Sequence, residues 1–160
     1  MKAIQKILVG CDFSKYSKNT VGYAATLADK FQAELIIVNV INKKDIDTIL
    51  KVAEGQFDRN IEKYVEKSAQ DYEIRVKAER SKKMDELIQE IGCADLKIKK
   101  VFKVGVPFQE LLSTIENEGA DLMVMSRRGR SDISGVMFGS NAEKVFRRCP
   151  VPLLSVRQIQ

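Results

Sequence analysis

Apolar residues follow two alternating patterns along the chain, short continuous runs and longer stretches with a period of three to four residues. Short apolar runs rich in β-branched residues are typical of strands buried on both faces of a parallel sheet. Such runs predict five strands, at residues 4–10, 34–41, 96–104, 120–126 and 151–156. Helical periodicity separates consecutive runs, which indicates an α/β fold with right-handed crossovers.

The predicted helices differ in how clearly the sequence defines them. They occupy residues 15–31, 56–92, 107–119 and 140–146, with a shorter helix around 45–53. Gly92 and Gly119 mark two helix ends, and Pro107 lies near the start of the third long helix. Because residues 74–78 alternate between apolar and polar, a bend within the helix 56–92 is an alternative to a straight helix.

Composition narrows the class of protein. Of 160 residues, 44% are hydrophobic and 31% charged, as in a folded domain, and no apolar run approaches the roughly 20 residues that cross a bilayer. No signal peptide is recognisable, and three scattered cysteines do not suggest a disulfide framework, so we expect a cytoplasmic protein. The sequence contains no histidine, which excludes His-based acid–base catalysis, a Ser-His-Asp triad and most zinc sites.

The chain shows no internal repeat, low-complexity tract or linker, so residues 1–160 are predicted to form one domain. We predict a single-domain α/β fold, Rossmann-like, with a five-stranded, mostly parallel sheet and helices on both faces. The net charge of +5 raises the question of nucleic-acid binding. Between residues 43 and 103, however, Lys and Arg are interleaved with Asp and Glu, which is typical of a solvated helix face and disfavours a nucleic-acid partner.

The loop after the fourth predicted strand carries the residue types of an anion site. In open α/β sheets ligands bind beyond the carboxyl ends of the strands, so residues 10–14 and 126–141 are the segments to search. Gly139, Ser140 and Asn141 lead into a helix, whose first amides lack intrahelical partners and whose dipole favours an anion. Arg128, with neighbouring arginines at 127 and 130, supplies positive charge.

Read without further context, this loop has a simpler interpretation. Gly-Ser ahead of a helix is more often an ordinary helix cap than a phosphate site. Neither GxGxxG nor the P-loop pattern GxxxxGK(S/T) is present, so the sequence supports neither a dinucleotide-binding fold nor a P-loop NTPase.

Four blocks of the sequence resemble the universal stress protein family, in the right order and with plausible gaps. They are KILVGCDFSKYSKNTVGYAATLA, ELIIVNVIN, GVPFQELLSTIENEGADLMVMSRRGR and GSNAEKVFRRCPVPLLSV. The resemblance covers nearly the whole chain and implies the family's fold, which is similar to that of the adenine nucleotide alpha hydrolases.

ATP-binding members of that family carry glycine, two residues, glycine, nine residues, then glycine with serine or threonine. Gly129 matches the second glycine, and after nine intervening residues Gly139 and Ser140 complete the pattern. Ser126 stands in place of the first glycine. It adds a Cβ at the strand end, and a left-handed φ at this position would strain a serine. The resemblance implies ATP as the ligand, with or without Mg²⁺, and makes Ser126 the open question.

The resemblance also implies contacts with the nucleoside. It places Asp12 against the adenosine part, Val40 against adenine, and Met125 facing the nucleoside. Taken alone, Val40 and Met125 are interpreted as core residues, and Asp12 as a cap of the first helix. Cys11 has no histidine to activate it, so we name no catalytic residue and no metal ligand.

The last predicted strand, Val151 to Val156, is expected at the sheet edge, where an exposed apolar strand invites pairing. Family members commonly pair such edges, which implies a homodimer. The resemblance therefore implies an ATP-binding regulatory protein in stress response, without strong catalytic activity. Two alternatives stay open: a dimeric interaction module that binds no nucleotide, and a slow ATPase.

Overall fold

The computed structural model describes residues 3–54, 62–130 and 139–157. Strands and helices alternate along most of the described chain, as the periodicity predicts. In chain order they are β1 (Lys6–Gly10), α1 (Ser17–Phe31), β2 (Glu34–Asn42), α2 (Lys43–Glu54), α3 (Glu62–Ile91), β3 (Ile98–Gly105), α4 (Pro107–Glu118), β4 (Leu122–Ser126), α5 (Ser140–Arg148) and β5 (Leu153–Val156).

The five strands form one parallel sheet in the order β3-β2-β1-β4-β5. The central strand β1 pairs with β2 and β4, and the side chains of Ile7, Leu8 and Val9 are fully buried. Because strand side chains alternate between faces, Ile7 and Val9 belong to one hydrophobic core and Leu8 to another. Helices α1 and α3 cover the first core, and α4 and α5 cover the second. The predicted α/β architecture, with helices on both faces, is confirmed.

The order of strands reverses between β1 and β4, since the chain runs outward from β1 to β3 and then crosses back to β4. Such a switch point leaves a crevice at the carboxyl ends of the two strands. The fold therefore brings together the segment after Gly10 and the segment after Ser126, the two places where the sequence predicts a site.

The helices correct one predicted limit and confirm another prediction. Helix α1 begins at Ser17, two residues later than predicted, whereas α3 continues through the alternating residues 74–78 as one helix, as predicted. Exposed ion pairs four residues apart, Glu73–Lys77 and Glu79–Lys83, favour the helical conformation there. The predicted start of the long helix at residue 56 lies outside the described residues.

Glycines end two helices as predicted. Gly92, beyond α3, and Gly119, beyond α4, both have φ in the left-handed region, at 75° and 64°. Such a conformation strains a residue with a Cβ, which is why glycine is favoured after a helix. Within the described ranges, none of the helices is long and apolar enough to cross a membrane.

Asp121 precedes β4 at the amino end of the sheet, opposite to the switch point. Its Oδ2 accepts hydrogen bonds from the backbone amides of Gln5 and Lys6, at 2.9 and 3.0 Å. The carboxylate therefore joins the start of β4 to the start of β1 and has a structural role.

Candidate functional site

The carboxyl ends of the central strands, together with the start of α5, surround a cavity of about 450 Å³. All nine residues predicted to contact a nucleotide line this cavity. They are Asp12, Val40, Met125, Ser126, Arg128, Gly129, Gly139, Ser140 and Asn141. They come from three distant parts of the chain, and the fold gathers them at the switch point.

Part of the cavity lining is apolar. Val38 and Val40 of β2 and Met125 of β4 are buried, and each contributes to the cavity wall. Pro107 and Leu111 of α4 complete this part of the lining. Apolar side chains of this kind are typical of the lining of small-molecule sites. The sequence reasoning missed the α4 residues, although the turn before Pro107 also follows the carboxyl end of a strand.

The turn after β1 is organised by the carboxylate of Asp12. Its Oδ1 accepts hydrogen bonds from the Ser14 amide and the Ser17 hydroxyl, both at 3.0 Å. Its Oδ2 accepts one from the Arg130 amide, also at 3.0 Å. The N-cap position of α1 belongs to Tyr16, so the interpretation of Asp12 as a helix cap is wrong. Asp12 instead joins two segments of the site.

Gly129 has a steric reason to be glycine. A Cβ built on its backbone would lie 2.7 Å from Oδ2 of Asp12, closer than nonbonded atoms approach. The absence of a side chain therefore lets the loop after β4 lie directly against the Asp12 carboxylate.

Ser126, at the end of β4, fits its position without backbone strain. Its hydroxyl oxygen accepts a hydrogen bond from the Arg128 amide at 3.3 Å, which forms a local turn. Among described residues other than glycine, only Phe13 and Gln32 have a positive φ, so the strain expected at Ser126 is absent. The serine lines the cavity, and its hydroxyl proton stays available to a ligand because the oxygen is the acceptor of this turn.

The start of α5 provides backbone donors. Gly139 is the N-cap, with an extended backbone at φ −66° and ψ 153°. Its amide donates to the Arg127 carbonyl at 3.0 Å, and its carbonyl accepts the first intrahelical bond, from Glu143 at 2.9 Å. The amides of residues 140–142 precede that first bond and have no carbonyl within the helix to bind. Ser140, Asn141 and Ala142 all line the cavity, and the helix dipole favours an anion at this end of α5.

The charged side chains in and behind the cavity wall carry a net positive charge. Arg128 and Arg130 line it together with Asp12 and Asp45, and Nη2 of Arg130 lies 4.0 Å from Oδ2 of Asp45. Arg80 of α3 adds a further positive charge behind the end of β2. Burial lowers the pKa of the Arg80 guanidinium, and the charge of Arg130 lowers that pKa further. The Asp45 carboxylate raises the pKa of Arg80 and so offsets part of this effect, which leaves one net positive charge on the group of Arg80, Arg130 and Asp45.

Comparison with known protein families identifies the family of this chain. The model of the universal stress protein family matches residues 3–157. The chain belongs to the universal stress protein family.

One relative in this family matches nearly the whole chain. A universal stress protein of Methanocaldococcus jannaschii is 26% identical over 159 residues, which cover 96% of this chain and 95% of the relative. The similarity to this relative therefore includes the segments between the four sequence blocks as well as the blocks themselves.

Solved universal stress proteins share the fold. The crystal structure of a universal stress protein in complex with cAMP has a TM-score of 0.59 and 24% identity, covering 97% of this chain and 98% of that one. The universal stress protein from Archaeoglobus fulgidus in complex with dAMP has a TM-score of 0.56 and 13% identity, covering 98% and 100%. At these identities the likeness establishes the fold.

Within the universal stress protein fold of this chain, Cys11 lies in the cavity wall but is poorly suited to chemistry. Only 3% of its surface is exposed, and burial raises the pKa of its thiol. A raised pKa keeps the thiol protonated near neutral pH, and the thiolate is the nucleophilic form.

No group of three or more acidic or Cys side chains in the described segments is placed to hold a metal ion.

Proposed function

We propose that this universal stress protein is an ATP-binding regulatory protein of the stress response. The observation that carries the proposal is one cavity that all nine predicted residues line, with both apolar side chains and the first residues of α5 in its wall. An adenine nucleotide combines an apolar ring with an anionic tail in the same way. Structures of universal stress proteins of the same fold are known in complex with cAMP and with dAMP, which supports an adenine nucleotide as the ligand.

In the proposed complex, the base lies between Val40 and Met125. The phosphates lie at the start of α5, where the amides of Ser140 and Asn141 and the charge of Arg128 bind them. A Mg²⁺ ion would be held mainly by the phosphates, because the described residues offer no cluster of metal ligands.

We propose further that the protein binds ATP without strong catalysis. The Asp12 carboxylate already accepts three hydrogen bonds, and the Cys11 thiol is buried, so neither is a good general base. The slow ATPase and the nucleotide-free interaction module are the competing functions. ATP turnover that survives purification and is lost on substitution of Asp12 would favour the ATPase.

The first prediction is that ATP raises the thermal stability of the purified protein. A ligand present at one hundred times its Kd stabilises the native state by about 2.7 kcal/mol, which is several degrees in Tm for a domain of this size. Differential scanning fluorimetry with ATP, with GTP as the control, measures this, with and without Mg²⁺. If denatured protein releases no adenine nucleotide and millimolar ATP leaves Tm unchanged, the interaction module becomes the better hypothesis.

The two edges of the sheet differ in a way that supports a homodimer. Edge strand β3 carries lysines, of which Lys99 pairs with Glu118 and Lys100 with Asp85, and charged side chains of this kind oppose strand pairing. Edge strand β5 (LLSV) carries no charge, and Leu154 is 37% exposed. We propose that two copies pair through β5.

The second prediction is that Leu154→Lys converts the dimer to a monomer. A lysine in β5 would bring two like charges together across a two-fold axis. Ile74→Lys is the matched control, because Ile74 is 65% exposed on α3, away from β5. Light scattering after size exclusion should show a dimer for the natural sequence and the control. A natural protein that is monomeric at tens of micromolar, or a Leu154→Lys variant that stays dimeric, contradicts this interface.

A further inference from the structure

Asp12 is connected to the phosphate end of the site by a chain of backbone contacts. Its Oδ2 accepts the Arg130 amide, and the residue before Arg130 is Gly129, whose missing Cβ permits the approach. Three residues earlier in the loop, the Arg127 carbonyl accepts the amide of Gly139, the N-cap of α5. The Asp12 carboxylate, just after β1, is thus connected through the loop after β4 to the N-terminus of α5.

We propose that Asp12 is a positioning residue for phosphate binding. Its carboxylate fixes the backbone of Gly129 and Arg130, and through Arg127 and Gly139 it sets where the free amides of α5 lie. This inference rests on the proposed function, because it assigns Asp12 to the phosphate end of the ATP site. It differs from the expectation that Asp12 acts on the adenosine part of the nucleotide.

The geometry of the carboxylate explains why an acid is needed. Oδ1 accepts two hydrogen bonds, from Ser14 and Ser17, and Oδ2 accepts one, from Arg130. An asparagine has the same shape but only one acceptor oxygen. Its NH₂ group would therefore face either the Ser14 and Ser17 donors or the Arg130 amide, and it cannot accept a hydrogen bond from them. Asp12→Asn must therefore lose either the turn after β1 or the contact with the loop after β4.

The ratio of ATP affinity to adenosine affinity tests the proposal. A positioning role predicts that Asp12→Asn lowers ATP affinity by about tenfold, the loss of one hydrogen bond with a charged partner, and changes adenosine affinity much less. Calorimetry with both ligands measures the ratio. Asp29→Asn, on α1, is the control for the charge change and should leave both affinities as they are.

A double-mutant cycle tests the same contact from the other side. Gly129→Ala places a Cβ 2.7 Å from Oδ2 of Asp12, so it should displace the loop and lower ATP affinity by about tenfold. In an Asp12→Ser background the carboxylate is gone, and the same substitution should lower ATP affinity less than about twofold. The cycle also serves if Asp12→Asn does not fold.

The outcomes separate this inference from the proposed function. If the natural protein binds neither ATP nor adenosine, the proposed function fails and the inference fails with it. If the natural protein binds both, an equal loss of ATP and adenosine affinity in Asp12→Asn makes Asp12 a nucleoside ligand and overturns the inference alone. Additive effects of Asp12→Ser and Gly129→Ala overturn it as well.

Discussion

Replacing Ser140 with proline is expected to weaken ATP binding by about ten- to a hundredfold while the protein stays folded. Ser140 is the first residue of α5, where proline is well tolerated because the amide it lacks makes no intrahelical bond. The preceding residue, Gly139, has φ −66° and ψ 153°, the conformation that proline requires of its predecessor. The substitution therefore removes the Ser140 amide and hydroxyl donors from the proposed phosphate site and little else from the fold.

Ser140→Ala is the matched control for the Ser140→Pro variant. It removes the hydroxyl and keeps the amide, so the difference between the two variants isolates the backbone donor. Calorimetry should show that Ser140→Pro loses ATP affinity and retains adenosine affinity, because the proposed base contacts are made by Val40 and Met125 and do not involve the Ser140 amide. If ATP binds equally well to both variants, the phosphates do not lie at the start of α5.

Most of the fold follows from local patterns in the sequence. Leu35, Ile36 and Ile37 are fully buried, and such continuous apolar runs indicate strands with helices on both faces. Gly92 and Gly119 predict helix ends because a left-handed φ is easiest for glycine. These features depend on neighbouring residues only, so they are visible without the structure.

The candidate site was predictable where a motif carried it. Gly129, Gly139 and Ser140 have the spacing of the family pattern, and the structure places all three on one cavity. The φ of Ser126 was not predictable, because the pattern records a glycine but not the reason for it. The reason for Gly129 was also hidden, since it lies in Asp12, which is more than a hundred residues away in the chain.

The contacts behind the site were missed altogether, because they join side chains that share no motif. Asn39 is fully buried in β2, where sequence periodicity predicts an apolar residue. Its Nδ2 donates to the Cys11 carbonyl at 2.7 Å, and its Oδ1 accepts from Nη1 of Arg80 at 2.8 Å. Only the packing of α3 against the end of β2 brings Arg80 within reach, and no local pattern records that packing.

Replacing Asn39 with leucine is expected to lower the free energy of unfolding by about 3 kcal/mol. Leucine has a similar size, so the loss comes from the buried Cys11 carbonyl, which loses its donor, and from the half-buried Arg80 guanidinium. Without Asn39, Nη1 of Arg80 keeps only its longer hydrogen bond to the Val40 carbonyl, at 3.5 Å. Because native domains are stable by only about 5–15 kcal/mol, such a loss is readily measured by urea denaturation. Arg80→Met in the same background should recover part of the stability, since it removes the guanidinium that Asn39→Leu leaves without its Asn39 hydrogen bond.

The Asn39 contacts also bear on ligand binding, since the carbonyl that Asn39 holds belongs to the residue next to Asp12. Asn39→Leu should therefore weaken ATP binding under conditions where the variant is still fully folded. The natural protein at matched fractions of folded molecules is the control. If stability falls and ATP affinity stays the same, the Arg80–Asn39–Cys11 contacts support the sheet alone. If both fall, the position of α3 influences the nucleotide site through the end of β2.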